Sequence, residues 1–230
     1  MTYKYLIFDL DDTLFDFKGG EMAGLENVFM NHGFSSDLTQ KAMAIYVEIN
    51  RGLWAAFEKG EIEKSEIHET RFDRVLAQLG LSGDGLSFEK DYRQELNHNY
   101  RLLEGAESLL KDLQTAGYHL IAGTNGEAQT QHLRLEHTGL RPYFEQVYIS
   151  DEIGVAKPNK AFFDIIFGEN PAMSQTNTLM IGDGVASDML GGQNAGLDTM
   201  WVNFKDLPTP PAIQPTYTVD SYAALREVLI

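Results

Sequence analysis

Asp9, Asp11 and Asp12 stand together in the run DLDDT at 9–13. Asp9 and Asp11 are two residues apart, so on an extended segment both side chains point into the same cleft. Farther along come Thr124-Asn125-Gly126, Lys157-Pro158 and Gly182-Asp183-Gly184, with Asp188 five residues after Asp183. The parts are carboxylates, one hydroxyl, one amide and one lysine. Carboxylates gathered at one point repel each other unless a cation sits between them. With oxygen donors only, a hard ion is expected, and Mg²⁺ fits best. Asp9 and Asp183 are the expected direct ligands. Mg²⁺ together with Lys157 reverses the local field, so that a phosphate group can enter. The Thr124 hydroxyl and the Gly126 N–H, at a strand-to-helix turn, suit phosphoryl oxygens. Of Asp9 and Asp11, one carboxylate can attack phosphorus. The other can protonate the leaving oxygen and then deprotonate the hydrolytic water.

These clusters have to be carried to one place. Residues 3–8 (YKYLIF) are short, aromatic and β-branched, which predicts a buried strand ending at Asp9. Strands are likewise expected over 118–123, 145–149, 178–182 and 198–203, separated by helices over 105–116, 127–138, 159–167 and 185–195, with a last helix over 220–229. Alternation of this kind means βαβ units and a parallel sheet. In such sheets ligands bind beyond the carboxyl ends of the strands, and there every polar cluster falls. Between about 19 and 100 the apolar spacing is helical throughout, as in Leu25, Val28 and Phe29, with Gly33, Gly60 and Gly80 as stops. The expected architecture is one α/β core, residues 1–16 and 101–230, with an all-α insert over 17–100. The stretch holding Pro208, Pro210, Pro211 and Pro215 reads as a surface loop.

The bulk properties limit the choice of partners. The chain has 230 residues, 43% of them hydrophobic, enough for one core plus a smaller lid. Lys and Arg number 18 against 34 Asp and Glu, a net charge of −16. Such a field repels nucleic-acid backbones, and an anionic substrate too, unless a local cation reverses it. There are no cysteines, so disulfides and thiolate metal sites are excluded. No apolar run approaches the roughly 18 residues of a membrane span, and the short apolar start ends at once in acids rather than forming a signal peptide. A cytoplasmic protein, monomeric or homodimeric, with no membrane partner is the expectation.

The four clusters, in order and each after an expected strand, resemble the signature motifs of the haloacid dehalogenase (HAD) superfamily. They are DLDDT at 9–13, TNG at 124–126, KP at 157–158 and GDGVASD at 182–188. The resemblance implies a Rossmann-like α/β core with an inserted helical cap. It implies Asp9 as nucleophile and Asp11 as acid/base, with the Asp11 main-chain carbonyl also on Mg²⁺. Asp183 resembles the metal ligand, and Asp188 a second acid that holds a metal-bound water or Lys157. Thr124, Asn125, Gly126 and Lys157 then face the substrate phosphate. Gly184 departs from the serine of many relatives. In the insert, Asn50-Arg51-Gly52-Leu53-Trp54, Phe57, Gly60 and Arg71-Phe72 resemble the YjjG/YfnB group of pyrimidine 5′-nucleotidases. The implied substrate is a small phosphorylated metabolite, foremost a nucleoside 5′-monophosphate.

Other readings remain. A sugar-phosphate phosphatase would use the same core. A haloacid dehalogenase needs neither a metal nor an acid for the leaving group, so Asp11 and Asp183 argue against it. A phosphonatase needs a cap lysine, and Lys41, Lys59, Lys64 and Lys90 lie in no matching motif. A binding module on a decayed enzyme fold would be missing catalytic residues, and none is missing. Taken singly, each cluster has a plain structural reading: a solvated turn, an N-cap, a helix start. Trp54 and Phe57 read as packing of the insert's core rather than as a base-stacking pair. Arg51 and Arg71 read as solvated or paired. The six histidines show no ligand spacing, His132 and His137 included.

Overall fold

A computed structural model describes residues 3–208 and 211–230. Pro210 of the proline-rich stretch lies outside the described residues. The chain divides into two compact units, one running up to Asp16 and again over Tyr100–Ile230, the other Phe17–Asn99.

The first unit is built on a six-stranded parallel sheet. Its strands are β1 (Tyr5–Phe8), β2 (His119–Thr124), β3 (Gln146–Ile149), β4 (Thr178–Gly182), β5 (Asp198–Val202) and β6 (Tyr217–Val219), in the order β3-β2-β1-β4-β5-β6. This Rossmann-like order puts β1 in the centre, with Phe8 opposite Ala122 on one side and Ile181 on the other. The order reverses between β1 and β4, the switch point where open α/β sheets bind ligands.

Alternation along the strands fills both faces. Leu6 and Phe8 point into one layer with Leu120, Leu179, Ile181, Met200 and residues of the helices Ala106–Thr115 and Tyr222–Leu229. Ile7 points into the other with Ile121, Met180 and Phe162, Phe163 and Ile166 of the helix Lys160–Glu169. Each such side chain fully removed from water contributes about 1.5–3 kcal/mol, so the central strands are the least movable part of this unit.

β6 is an addition to the expected strands. Tyr217-Thr218-Val219 is β-prone but only three residues long and follows the prolines, so its periodicity carries no signal. Pairing with β5 and the bond from Asn203 N to Val219 O (2.8 Å) hold it. The helix expected over 185–195 is two elements, a π-turn over Val185–Met189 and a short α-helix over Leu190–Ala195. Both Asp188 N and Met189 N donate to Gly184 O, at 2.8 and 3.1 Å. This widening is typical of functional sites.

The second unit is four helices: α1 (Phe17–Asn31), α2 (Ser36–Glu58), α3 (Lys64–Gln78) and α4 (Gly85–Asn97). Gly33, Gly60 and Gly80 end the first three at φ of +84°, +72° and +70°, a region that favours glycine. Leu25, Val28, Phe29, Tyr46, Phe72, Val75, Phe88 and Tyr92 form its core. Arg71 is buried and forms a two-pronged pair with Glu89, both bonds 2.6 Å, whereas Arg51 is exposed beside Glu48. Trp54 and Phe57 depart from the expected core packing. They meet each other edge-on at 5.7 Å and stay half-buried, because only Leu53 of that turn faces inward. Among the described residues no helix is long and apolar enough to cross a membrane.

Candidate active site

Asp9 leaves the end of β1 with its N–H bonded to Ile181 O (2.8 Å), so the centre of the sheet fixes its backbone. Its side chain is buried, with Oδ1 2.8 Å from Lys157 Nζ and Oδ2 3.5 Å from the Thr13 hydroxyl. The same hydroxyl accepts the N–H of Asp183 (3.0 Å), tying the ends of β1 and β4 together. The Trp201 indole N–H donates to Asp183 O (3.0 Å).

Lys157 is 1% exposed and spends its three N–H donors on Asp9 Oδ1, Asp188 Oδ1 (2.6 Å) and Gly123 O (2.6 Å). Burial works against its charge, but Asp188 and Asp9 outweigh burial and hold its pKa above the usual lysine value. Asp188 also accepts the Gly184 N–H at Oδ2 (2.9 Å). Gly182 permits this fold-back, since a Cβ there would lie 2.2 Å from Asp188 Oδ2. Asp9, Asp183 and Asp188 each offer a carboxylate oxygen, all within 4.8 Å of one another. For Asp9, burial dominates, Lys157 opposes it and Asp188 adds to it, and the pKa is pushed up to about 7. Three acids this close, with one lysine among them, are a donor set that suits a hard divalent cation.

Asp11 is placed differently. Its carboxylate is turned to the helix Ala128–His137, α6 in the chain order of α-helices, where α5 is Ala106–Thr115. Arg134 Nη1 donates to Oδ1 (2.6 Å) and Gln131 Nε2 to Oδ2 (2.7 Å). Burial raises the Asp11 pKa, Arg134 opposes this and Asp9 adds to it. The Asp11 side chain is outside the acidic cluster, which leaves only its main-chain carbonyl for the metal role expected of it. Neighbouring Asp12 points to Lys205 (3.3 Å).

Thr124 ends β2 buried, and its hydroxyl accepts the Gly126 N–H (3.0 Å). Asn125, expected among the phosphate-binding side chains, has another use. Its Nδ2 donates to Lys157 O (2.7 Å) and its Oδ1 accepts Lys157 N–H (2.9 Å). Both ends of the amide thus clamp the lysine's main chain, so Asn125 fixes Lys157. His132 and His137 share nothing: one pairs with Glu152 (2.7 Å), the other stacks on Tyr100 (4.2 Å).

Thr13, Gln131 and Arg134 escaped the sequence reading. Thr13 lies within DLDDT, where the sequence attaches no role to it. Gln131 and Arg134 carried the one available signal: two long polar residues three apart on the helix after TNG, one face of that helix.

The family model described as haloacid dehalogenase-like hydrolase matches residues 6–202. The chain belongs to this family. Among curated relatives of this HAD chain, YfnB of Bacillus subtilis is 39% identical over 99% of the chain and 95% of its own length. The pyrimidine 5′-nucleotidase PynA of Streptococcus pneumoniae is 39% identical over 100% and 96%. The pyrimidine 5′-nucleotidase YjjG of Escherichia coli is 35% identical over 100% and 99%. A crystal structure of YfnB bound to magnesium superposes with a TM-score of 0.91 at 38% identity, covering 100% of this chain and 99% of that one. An L-2-haloacid dehalogenase from Xanthobacter autotrophicus shares the fold at a TM-score of 0.77 and 18% identity.

Proposed function

We propose that the chain is a Mg²⁺-dependent phosphomonoesterase acting through an aspartyl-phosphate at Asp9, and that its substrates are pyrimidine nucleoside 5′-monophosphates. The observation that carries the chemistry is the convergence of Asp9, Asp183 and Asp188 within 4.8 Å around one buried lysine. The substrate class is supported by PynA and YjjG, both named as pyrimidine 5′-nucleotidases and matched over nearly their full lengths.

Asp9 and Asp183 would hold the ion, with the Asp11 carbonyl beside them and Asp188 behind, joined to Lys157. Bound Mg²⁺ supplies positive charge that neutralises the phosphoryl oxygens and the acids around them. The chain's own groups do the rest. An Asp9 oxygen forms a bond to phosphorus as the bond to the leaving oxygen breaks, and Asp11 gives that oxygen its proton. Water then bonds to phosphorus, the Asp9–phosphorus bond breaks, and the water's proton returns to Asp11. Lys157 keeps Asp9 oriented and offsets negative charge, while Thr124 and the Gly126 turn bind phosphoryl oxygens. The unit containing the sheet carries this chemistry, and the helical unit Phe17–Asn99 serves as a cap that selects the organic part of the substrate. A cytoplasmic location goes with this reading.

The test is phosphate release from nucleotides and sugar phosphates, with Mg²⁺ and with EDTA. Release that needs Mg²⁺ and favours UMP, dUMP or dTMP is the expected result. Release from sugar phosphates alone would overturn the nucleotide assignment. Equal release in EDTA would overturn the metal.

A further inference from the structure

Gln131 and Arg134 share one face of α6 and are 1% and 0% exposed. Taking a guanidinium out of water is costly unless a partner compensates, and the partner here is Asp11. Its Nη1 meets one oxygen of Asp11 and Gln131 Nε2 meets the other, at 2.6 and 2.7 Å. Each Asp11 oxygen therefore has its own donor and keeps a further lone-pair direction for a travelling proton. The donors are themselves fixed. The guanidinium lies 5.8 Å over the ring of Phe15, a buried residue bonded through its N–H to Leu10 O (2.9 Å). Gln131 fills the space above Gly126, where a Cβ would stand 2.0 Å from Nε2, and its Nε2 is 3.5 Å from the Thr124 hydroxyl. Gln131 Oε1 is buried without a hydrogen-bond partner among the described residues.

We propose that Arg134 and Gln131 are positioning residues for Asp11, setting the plane of its carboxylate so that a proton passes between it and the leaving oxygen or the water. This rests on the reading of Asp11 as the acid/base. Without the pair, Asp11 keeps its carboxyl group but loses its orientation. The loss then depends on the leaving group: a nucleoside alkoxide needs the proton, whereas p-nitrophenolate leaves without it.

The experiment compares the full-length wild type, Gln131→Met, Arg134→Met and Arg134→Lys in Mg²⁺, on UMP and on p-nitrophenyl phosphate. Steady-state constants and the pre-steady-state burst of p-nitrophenolate are both measured. The two Met variants should lose roughly 10–100-fold in kcat on UMP, in line with the cost of a small misplacement, with KM held within about twofold. On p-nitrophenyl phosphate they should give a burst of about one equivalent per enzyme and then turn over slowly, because intermediate formation no longer needs the acid and its hydrolysis still needs the base. Arg134→Lys should recover part of kcat. An unchanged kcat, a raised KM at constant kcat, or a burst slowed as much as UMP turnover would overturn the proposal. If Arg134→Met does not fold, as judged by circular dichroism, Gln131→Met decides. A wild type inert to both substrates overturns the phosphohydrolase reading and this proposal with it; an active wild type with unaffected variants overturns this proposal alone.

Discussion

Asp9 and Asp11 are two residues apart, yet their surroundings give them different work. Asp9 faces Lys157 and the other acids, whereas Asp11 faces Arg134 and Gln131. Asp9→Asn preserves shape and hydrogen-bonding size but removes the nucleophile. It should abolish phosphate release while the circular dichroism spectrum stays that of the wild type. Asp11→Asn should still bind substrate and slow turnover by roughly 10²–10⁴-fold, the usual worth of general acid–base catalysis; substrate KM and kcat measured together check this. The site's acids and lysine were legible in the sequence because each lies beyond the carboxyl end of a strand, Asp9 and Asp183 immediately after β1 and β4, Asp188 in the turn that follows β4, and Lys157 farther on from β3, past the short helix Ser150–Ile153. The direction in which Asn125 spends its amide was not, since a TNG turn is compatible with an outward or an inward side chain. Arg134 and Gln131 were hidden for a different reason: in one dimension a polar helix residue reads as solvated face, and only the packed fold shows it 0% or 1% exposed.

Among the elements, the helical unit makes the clearest prediction about stability. His68 on α3 has its pKa pushed down to about 3, by burial first and then by Arg93, Arg71 and Lys64. An unfolded chain takes up this proton near pH 6.5. Between these values the unfolded state binds more protons than the folded one, so stability is lost as pH falls through that window. His68→Gln should therefore flatten the decline of the urea midpoint between pH 7 and pH 5, and an equal decline in both proteins would argue against the assignment. The four helices of this unit were readable from apolar spacing and glycine stops. Trp54 and Phe57 were misread because helical spacing alone does not say which arc of a helix is covered. β6 and the π-turn over Val185–Met189 were missed because three residues are too few for a period and because the turn's hydrogen bonds, not its residue types, define it.

At the scale of the molecule, the strand order β3-β2-β1-β4-β5-β6 puts Asp9 and Asp183 on either side of the switch point, and this explains why residues 174 apart in number (183 − 9) share one site. The net charge of −16 surrounds that site with a repulsive field for a phosphate dianion. Salt screens this long-range repulsion while leaving the buried Lys157 and its neighbours nearly unscreened. Raising ionic strength from about 0.01 M to about 0.15 M should thus increase kcat/KM at constant Mg²⁺ and leave kcat unchanged; a decrease in kcat/KM would show that the local cations dominate encounter. The claim on which the whole account turns is the covalent intermediate at Asp9. Turnover of UMP with Mg²⁺ is quenched, the trapped acyl phosphate is reduced with borohydride, and the peptide containing residue 9 is sequenced. Homoserine in place of Asp9, absent when UMP is omitted, is the predicted result. Steady phosphate release with Asp9 recovered unmodified would contradict it.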